Sequence, residues 1–283
     1  MRQLALSLAA AAATAALVAC ADSPGAAGKP RVDHFDSHAA WRLLKSQVAL
    51  GPRPAGSPAS RRLARKLKRL LPHGRYQAVP GGLRNVVGRV PGRGRGYLVV
   101  GAHYDTKDLP DFVGANDGAS GTAVVTQLAR TIKPHRLRRT VVFVLFDGEE
   151  SPAGTPDDEF EAKGLRGSRV AARRYREARS MVLLDFVGNR HLRIPREEFS
   201  SFPLWSKLRR AARRVGAGPA FPPQASGGVL DDQIPFAHRG VRSIDLIDFD
   251  FDCWHRTCDD LGAVSERSLE LVGETMLRYL ASL

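Results

Sequence analysis

Five stretches of this chain end in side chains that hold metals or move protons. Tyr97 to Ala102 runs into His103-Tyr104-Asp105, and the turn GANDGASG carries Asp117. Val141 to Phe146 runs into Asp147-Gly148-Glu149-Glu150, Met181 to Leu184 runs into Asp185, and Trp254-His255 follows the apolar stretch Val241 to Ile247. Imidazole mixed with carboxylate suits zinc, which takes nitrogen and oxygen donors and keeps one position open in catalytic sites. The pair Glu149-Glu150 is the most pointed feature. Adjacent carboxylates at the end of a buried strand repel each other, so they need a cation or a shared proton. A metal ligand beside a general base is the working interpretation, against a solvated acidic loop for an isolated pair. A single histidine at a strand end is more often structural, but five such segments arriving together by chance is improbable.

To converge, these segments must be neighbours in one sheet. VVFVLF is apolar on both faces and reads as a buried central strand. Around it the pattern alternates strand and helix. Ala39 to Val48 has apolar residues at helical spacing with Ser37 available as a cap, and the turn-rich GPRPAGSP follows. Ala59 to Leu71 is a basic amphipathic helix stopped by Pro72. Asn85 to Val90 and Tyr97 to Ala102 read as strands joined by PGRGRG. Gly118 to Ile132 is a helix with Ala119, Ser120 and Gly121 in its first turn, where close backbone approach is useful. Helical segments near Gly167 to Arg176 and Phe202 to Arg214 separate the later strands, and Ser265 to Ser282 forms the last helix. The expectation is an α/β fold: a single domain with a mostly parallel twisted central sheet flanked by helices. Such sheets hold ligands at the carboxyl ends of their strands.

The 283 residues, 43% of them hydrophobic, suffice for a sizeable core. The first 19 residues read as an export signal: Arg2 is the positive start, and Leu4 to Ala16 is an apolar run too short to span a bilayer. Leu17-Val18-Ala19-Cys20 resembles a bacterial lipobox, in which cleavage leaves Cys20 as a lipid-modified first residue. The expected organisation is a signal over 1–19, a flexible tether over 20–38 and a catalytic domain over 39–283, exported and lipid-anchored to the outer face of the cell membrane. The net charge of +14, or +13 without Arg2, comes mostly from scattered arginine, with clusters at 61–69, 173–176 and 209–214. A solvated basic face is the first reading of these clusters, with anionic lipid or acidic peptide as the other. Nucleic acid is not expected as a partner, because aromatics are few and do not interleave with the basic runs. Besides Cys20 only Cys253 and Cys258 remain, and their spacing alone does not establish a bridge.

The chain resembles the zinc aminopeptidase and glutaminyl cyclase superfamily. The matching stretches, in that superfamily's order, are GPRPAGSP, NVVGRV, GAHYDTK, FVGANDGASG, FVLFDGEE, LRGSR, LLDFVG, GGVLDDQIPF and CWHRTCDD, from about Trp41 onward. The resemblance implies a zinc exopeptidase-like, phosphorylase/hydrolase-like fold. It implies Zn²⁺ held by Asp117, Glu150 and His255, with Glu149 as general acid/base. In the aminopeptidase branch His103 and Asp185 would complete a second zinc site; in the cyclase branch one zinc is held, and Asp185 joins a proton network with Asp231.

HYDTK, LLDFVG, GGVLDDQIPF and Trp254 directly before His255 look like animal-type glutaminyl cyclases, in which that tryptophan lines the substrate pocket. NDGASG instead has the aminopeptidase spelling. Leu230 stands where a polar residue is usual, Asp245 where histidine is usual, and SPAGTPDDEF lacks a second pocket tryptophan. The first choice is a cyclase that converts an N-terminal glutamine of a peptide to pyroglutamate with release of ammonia. Glu149 would move the proton, Asp185 and Asp231 would support it, and Trp254 would wall the pocket. The runner-up is a di-zinc aminopeptidase in which Glu149 deprotonates an attacking water. A peptide-binding lipoprotein without turnover is the third reading. For Trp254 the plain alternative is edge packing. Asp105 is a candidate partner for His103. Asp259 and Asp260 could orient a ligand in the same way or begin the loop before the last helix, and the loop is preferred.

Overall fold

The computed structural model describes residues 35–283. The expected export signal, Cys20 and the greater part of the expected tether lie outside the described residues. The chain runs α1 (Ser37–Val48), α2 (Pro58–Leu70), β1 (Arg75–Val79), β2 (Leu83–Val90), β3 (Tyr97–His103), α3 (Ala119–Thr131) and β4 (Thr140–Phe146). It continues through α4 (Phe160–Lys163), α5 (Arg166–Arg174), β5 (Met181–Asp185), α6 (Phe202–Arg214), α7 (Ile234–Ala237), β6 (Ser243–Ile247) and α8 (Glu266–Ala281).

The strands form one sheet in the order β1-β2-β4-β3-β5-β6. The pairs β4·β3, β3·β5 and β5·β6 are parallel, and β1·β2 and β2·β4 are antiparallel. Alternation along β4 divides its side chains between two apolar layers. Val141, Phe143 and Leu145 belong to a core that includes residues of α1, α2, α3, α6 and α8, and Val142, Val144 and Phe146 face a smaller one with Ala171, Ala172 and Phe236. After β3 the chain crosses to β4 on one side, and after β5 it crosses to β6 on the other. The carboxyl ends of β3 and β5 therefore flank the topological switch point, where this kind of sheet opens a crevice.

Three details differ from the expectations. β1 was not anticipated; it is a half-exposed edge strand without clean alternation. PGRGRG does link β2 to β3, but the two strands are not paired, because β4 lies between them and takes β2 as its antiparallel neighbour. The third difference is the cap of α1. Phe35 is buried in the larger core, and Asp36, not Ser37, caps α1 by accepting the Ala39 N–H at 2.8 Å. No helix among the described residues is long and apolar enough to cross a membrane.

Candidate active site

β3 ends in His103 and β5 ends in Asp185, and their side chains meet at 3.2 Å between Nε2 and Oδ1. Asp117 reaches them from the turn ahead of α3. Gly118 makes that turn with φ +82°, and a Cβ there would lie 2.6 Å from the Asp105 carbonyl oxygen. Gly121, one turn into the helix, passes so close to β5 that a Cβ would fall 2.1 Å from the Leu184 carbonyl oxygen. The small residues of α3's first turn thus let the helix start sit directly over the strand ends.

The Asp117 carboxylate splits its two oxygens. Oδ1 is 3.2 Å from His103 Nε2, and Oδ2 is 3.6 Å from His255 Nε2. Glu150 Oε1 lies 3.2 Å from the same His255 nitrogen. Two triads result, Asp117-Glu150-His255 and His103-Asp117-Asp185, each with its donor atoms within 4.8 Å of one another. Donors about 2.0–2.2 Å from a tetrahedral zinc stand roughly 3.3–3.6 Å apart, so both triads fit the ion in spacing and in donor type. Every expected metal ligand is therefore at one place.

Without a cation this is an overloaded site. Burial, and then Glu150, push the Asp117 carboxyl up to about 6. Burial, and then Glu150, also hold Glu149 well above the ordinary carboxylate range. Burial works against a charge on His103, but Asp185 and Glu149 outweigh it and raise the imidazole well above its usual value. Glu150 is the exception: burial would raise it, but the hydrogen bond with His255 and that residue's charge bring it below its usual value. Its other oxygen, Oε2, faces the Lys107 ammonium at 3.3 Å.

A cavity of about 310 Å³ opens over the site and is lined by Glu149, Glu150, Asp117 and Asp185 at its base. Asp231, Leu230, Phe249 and Trp254 also line it. Trp254 stacks on His255 at 4.6 Å between ring centres and is half exposed, so it is not a buried aromatic. Phe160 of α4 and Asp157 come from the segment that lacks a second tryptophan, so a phenylalanine occupies that wall.

Residues 85–280 match peptidase family M28. The chain belongs to that family. Among relatives, glutaminyl-peptide cyclotransferase of Drosophila melanogaster is 28% identical over 214 residues, 64% of this M28 chain and 59% of the relative. The chain thus spans about three fifths of the length of that curated relative. Porphyromonas gingivalis glutaminyl cyclase superposes with a TM-score of 0.78 at 28% identity, covering 89% of this chain and 99% of that one. A leucine aminopeptidase precursor from Bacteroides thetaiotaomicron gives 0.79 at 25% identity, with 90% and 99% covered. Membership of M28 supports zinc as the metal and peptidase or cyclase chemistry in the coarse sense; both kinds of enzyme stand among the similar proteins.

The supporting residues of this M28 site do more than the sequence suggested, and one of them, Arg53, was not anticipated. Asp259, assigned to a loop, accepts the Asn116 and Asp117 N–H groups on its two oxygens at 2.7 and 3.0 Å and so holds the metal turn. Asp105, seen as a partner for His103 alone, lies 3.8 Å from that ring and also accepts the Glu149 and Glu150 N–H groups, both at 3.3 Å. Arg53 of GPRPAGSP is fully buried, and its guanidinium donates to the carbonyls of Gln47, Gly51, Val113 and Gly114 at 2.7 to 3.3 Å. Burial lowers Arg53 to about 10, with Asp117 the strongest opposing charge. Replacing Arg53 with Met strands the Val113 and Gly114 carbonyls just ahead of Asp117. The expected loss is about 1–3 kcal/mol of stability, the desolvation cost of such groups, together with weaker metal retention. Urea unfolding of the metal-free and metal-loaded variant measures both, and an unchanged midpoint in each would contradict the role given to Arg53.

Proposed function

We propose that this M28 chain is a zinc-dependent glutaminyl cyclase acting on peptide N-termini. The observation that carries the reading is the make-up of the cavity behind Glu149. Two further buried carboxyls, Asp185 and Asp231, stand beside it under an apolar wall of Trp254, Phe249, Phe160 and Leu230. Burial, and then Asp185, hold Asp231 well above the ordinary carboxylate range. Asp245, where the resembling enzymes usually have histidine, is buried too, and burial, and then Asp231, raise it well above the usual range. Its two carboxylate oxygens have no hydrogen-bond partner among the described residues. A hydrolase needs one base for one water; this proton-holding array suits an internal transfer from an amine to a departing ammonia.

Asp117, Glu150 and His255 would hold the zinc, which when bound supplies Lewis acidity to the γ-amide carbonyl. The substrate's neutral α-amine attacks the carbonyl carbon of the γ-amide and loses a proton to a Glu149 oxygen. Glu149 returns that proton to the amide nitrogen, the C–N bond breaks, and ammonia leaves with a pyroglutamyl ring behind it. Asp185 and Asp231 steady the proton count around Glu149 during the exchange. Trp254 and Phe249 exclude the water that would otherwise compete with the amine.

The second reading, a di-zinc aminopeptidase, is favoured by the His103-Asp117-Asp185 triad. Supplying Gln-initiated peptides and aminoacyl reporters in parallel separates the two. Ammonia with a pyroglutamyl product is expected; free amino acid with two zincs per chain would replace the cyclase with the aminopeptidase, and neither product would leave a binding protein. Lipid modification at Cys20 would place this chemistry on the outer face of the membrane, and metabolic labelling with a radioactive fatty acid tests it.

A further inference from the structure

The geometry points to the Cys253–Cys258 disulfide as the element that positions His255, so that its reduction weakens the metal site. This rests on the metal-site reading above and adds a residue pair that the reading does not use. The bridge joins two Cα atoms 5.4 Å apart and encloses Trp254 and His255. Residues 248–264 form no helix and no ladder strand, so no repeating hydrogen-bond pattern fixes the histidine. His255 also has φ +52°, a left-handed conformation that a residue with a Cβ keeps only where its surroundings enforce it.

Two constraints enforce it. Within the bridged loop the Arg256 N–H donates to the Cys253 carbonyl at 3.0 Å and closes the turn over His255. Directly after Cys258, Asp259 grips the Asn116 and Asp117 amides, and its carbonyl accepts the Ala115 N–H at 3.1 Å. The carboxyl end of the loop is therefore tied to the turn that presents Asp117. The amino end leads from Asp248, which is buried and accepts from Asn189 Nδ2 and the Arg193 N–H at 2.8 and 2.9 Å, through Phe249 and Phe251, which pack on the buried Phe186 with ring centres 6.0 and 5.7 Å away. The buried Phe112 ring meets the His255 imidazole edge-on at 5.9 Å. The disulfide joins the two anchored ends across residues 254–257, and so holds the His255–Asp117 separation that the ion must match. Cys258 is exposed, so a reagent reaches it.

The test compares the wild type, the double variant Cys253→Ser/Cys258→Ser, and the wild type reduced with a water-soluble phosphine. In the last case the phosphine takes oxygen from water to become its oxide, and the disulfide becomes two thiols. Zinc affinity is read by competition with a chromophoric chelator, and the unfolding midpoint of the zinc-free protein is read separately. The zinc Kd should rise about 10- to 100-fold, as for other groups that orient metal ligands, in the double variant and in the reduced wild type, and should recover on reoxidation. Turnover per zinc-saturated chain should change less than about threefold, as expected when a change alters metal affinity and not the bound geometry. A double variant, or a reduced wild type if the variant does not fold, that holds zinc as tightly as the oxidised wild type overturns the proposal. A fall in the zinc-free midpoint with an unchanged Kd also overturns it, since that is a purely structural staple. If the oxidised wild type itself binds no zinc, the metal-site reading fails along with it.

Discussion

Glu149→Gln lowers turnover about 10²- to 10⁴-fold, the range general acid–base groups contribute, and leaves the zinc content unchanged. Glu149 is buried beside the metal triad without belonging to it: its Oε2 faces His103 Nδ1 at 3.8 Å. Its N–H donates to Asp105, a backbone contact that glutamine reproduces. The substitution keeps shape and backbone position and removes only the capacity to take and return a proton. It should lower kcat with KM nearly constant, because the lost interaction belongs to the transition state. A variant with near-normal kcat would remove Glu149 from the chemistry. One that lost its zinc as well would move Glu149 into the ligand set.

Stripping the metal has the second large effect, and it depends on pH in a definite direction. Burial, and then Glu150, raise Asp117 to about 6; burial, and then Asp117, raise Asp259 to about 7. Burial also lifts Asp232 to about 7. The ordinary value for these groups is 3.8. In the metal-free protein, then, the folded state keeps protons that the unfolded chain releases between about pH 4 and 7. That contribution to stability is complete below about pH 4 and is lost as the pH rises through 6 to 7. Zinc acts oppositely, since its ligands bind as deprotonated groups and affinity grows with pH. Calorimetry with and without chelator at pH 5, 6 and 7.5 should show a gap that widens upward, reaching about 4 kcal/mol where free zinc is near 1,000 times its Kd. Equal melting points with and without chelator, or a gap that narrows towards pH 7.5, would contradict the assignment of Asp117, Glu150 and His255 to a cation site.

What the sequence disclosed best was the convergence of the candidate ligands. His103, Glu150 and Asp185 follow runs of β-branched and aromatic residues, and Asp117 precedes a helix rich in small ones; local pattern suffices to put such residues at one sheet edge. The supporting groups were hidden for a physical reason. Asp259 acts on amides 142 and 143 positions away, and Arg53 on carbonyls up to 61 away, through contacts that leave no periodic trace. The strand order was hidden likewise. PGRGRG announces a turn after β2, but only the burial demand of β4 decides that β4, and not β3, becomes its neighbour. The edge strand β1, half in water, lacks the alternation that would have marked it.

The cavity divides its labour between two kinds of backbone. Of the groups proposed to hold the ion and move the proton, all but His255 and Asp231 project from the ends of buried strands or from the tightly held turn before α3, where a shifted atom disturbs the core. The surfaces that a substrate would meet, Phe160, Leu230, Phe249 and Trp254, sit on connecting loops and a single-turn helix at the rim, and loops absorb substitution and insertion readily. Substitutions at the rim can therefore alter which substrate is admitted while leaving the buried carboxyl ends of β3, β4 and β5 in place.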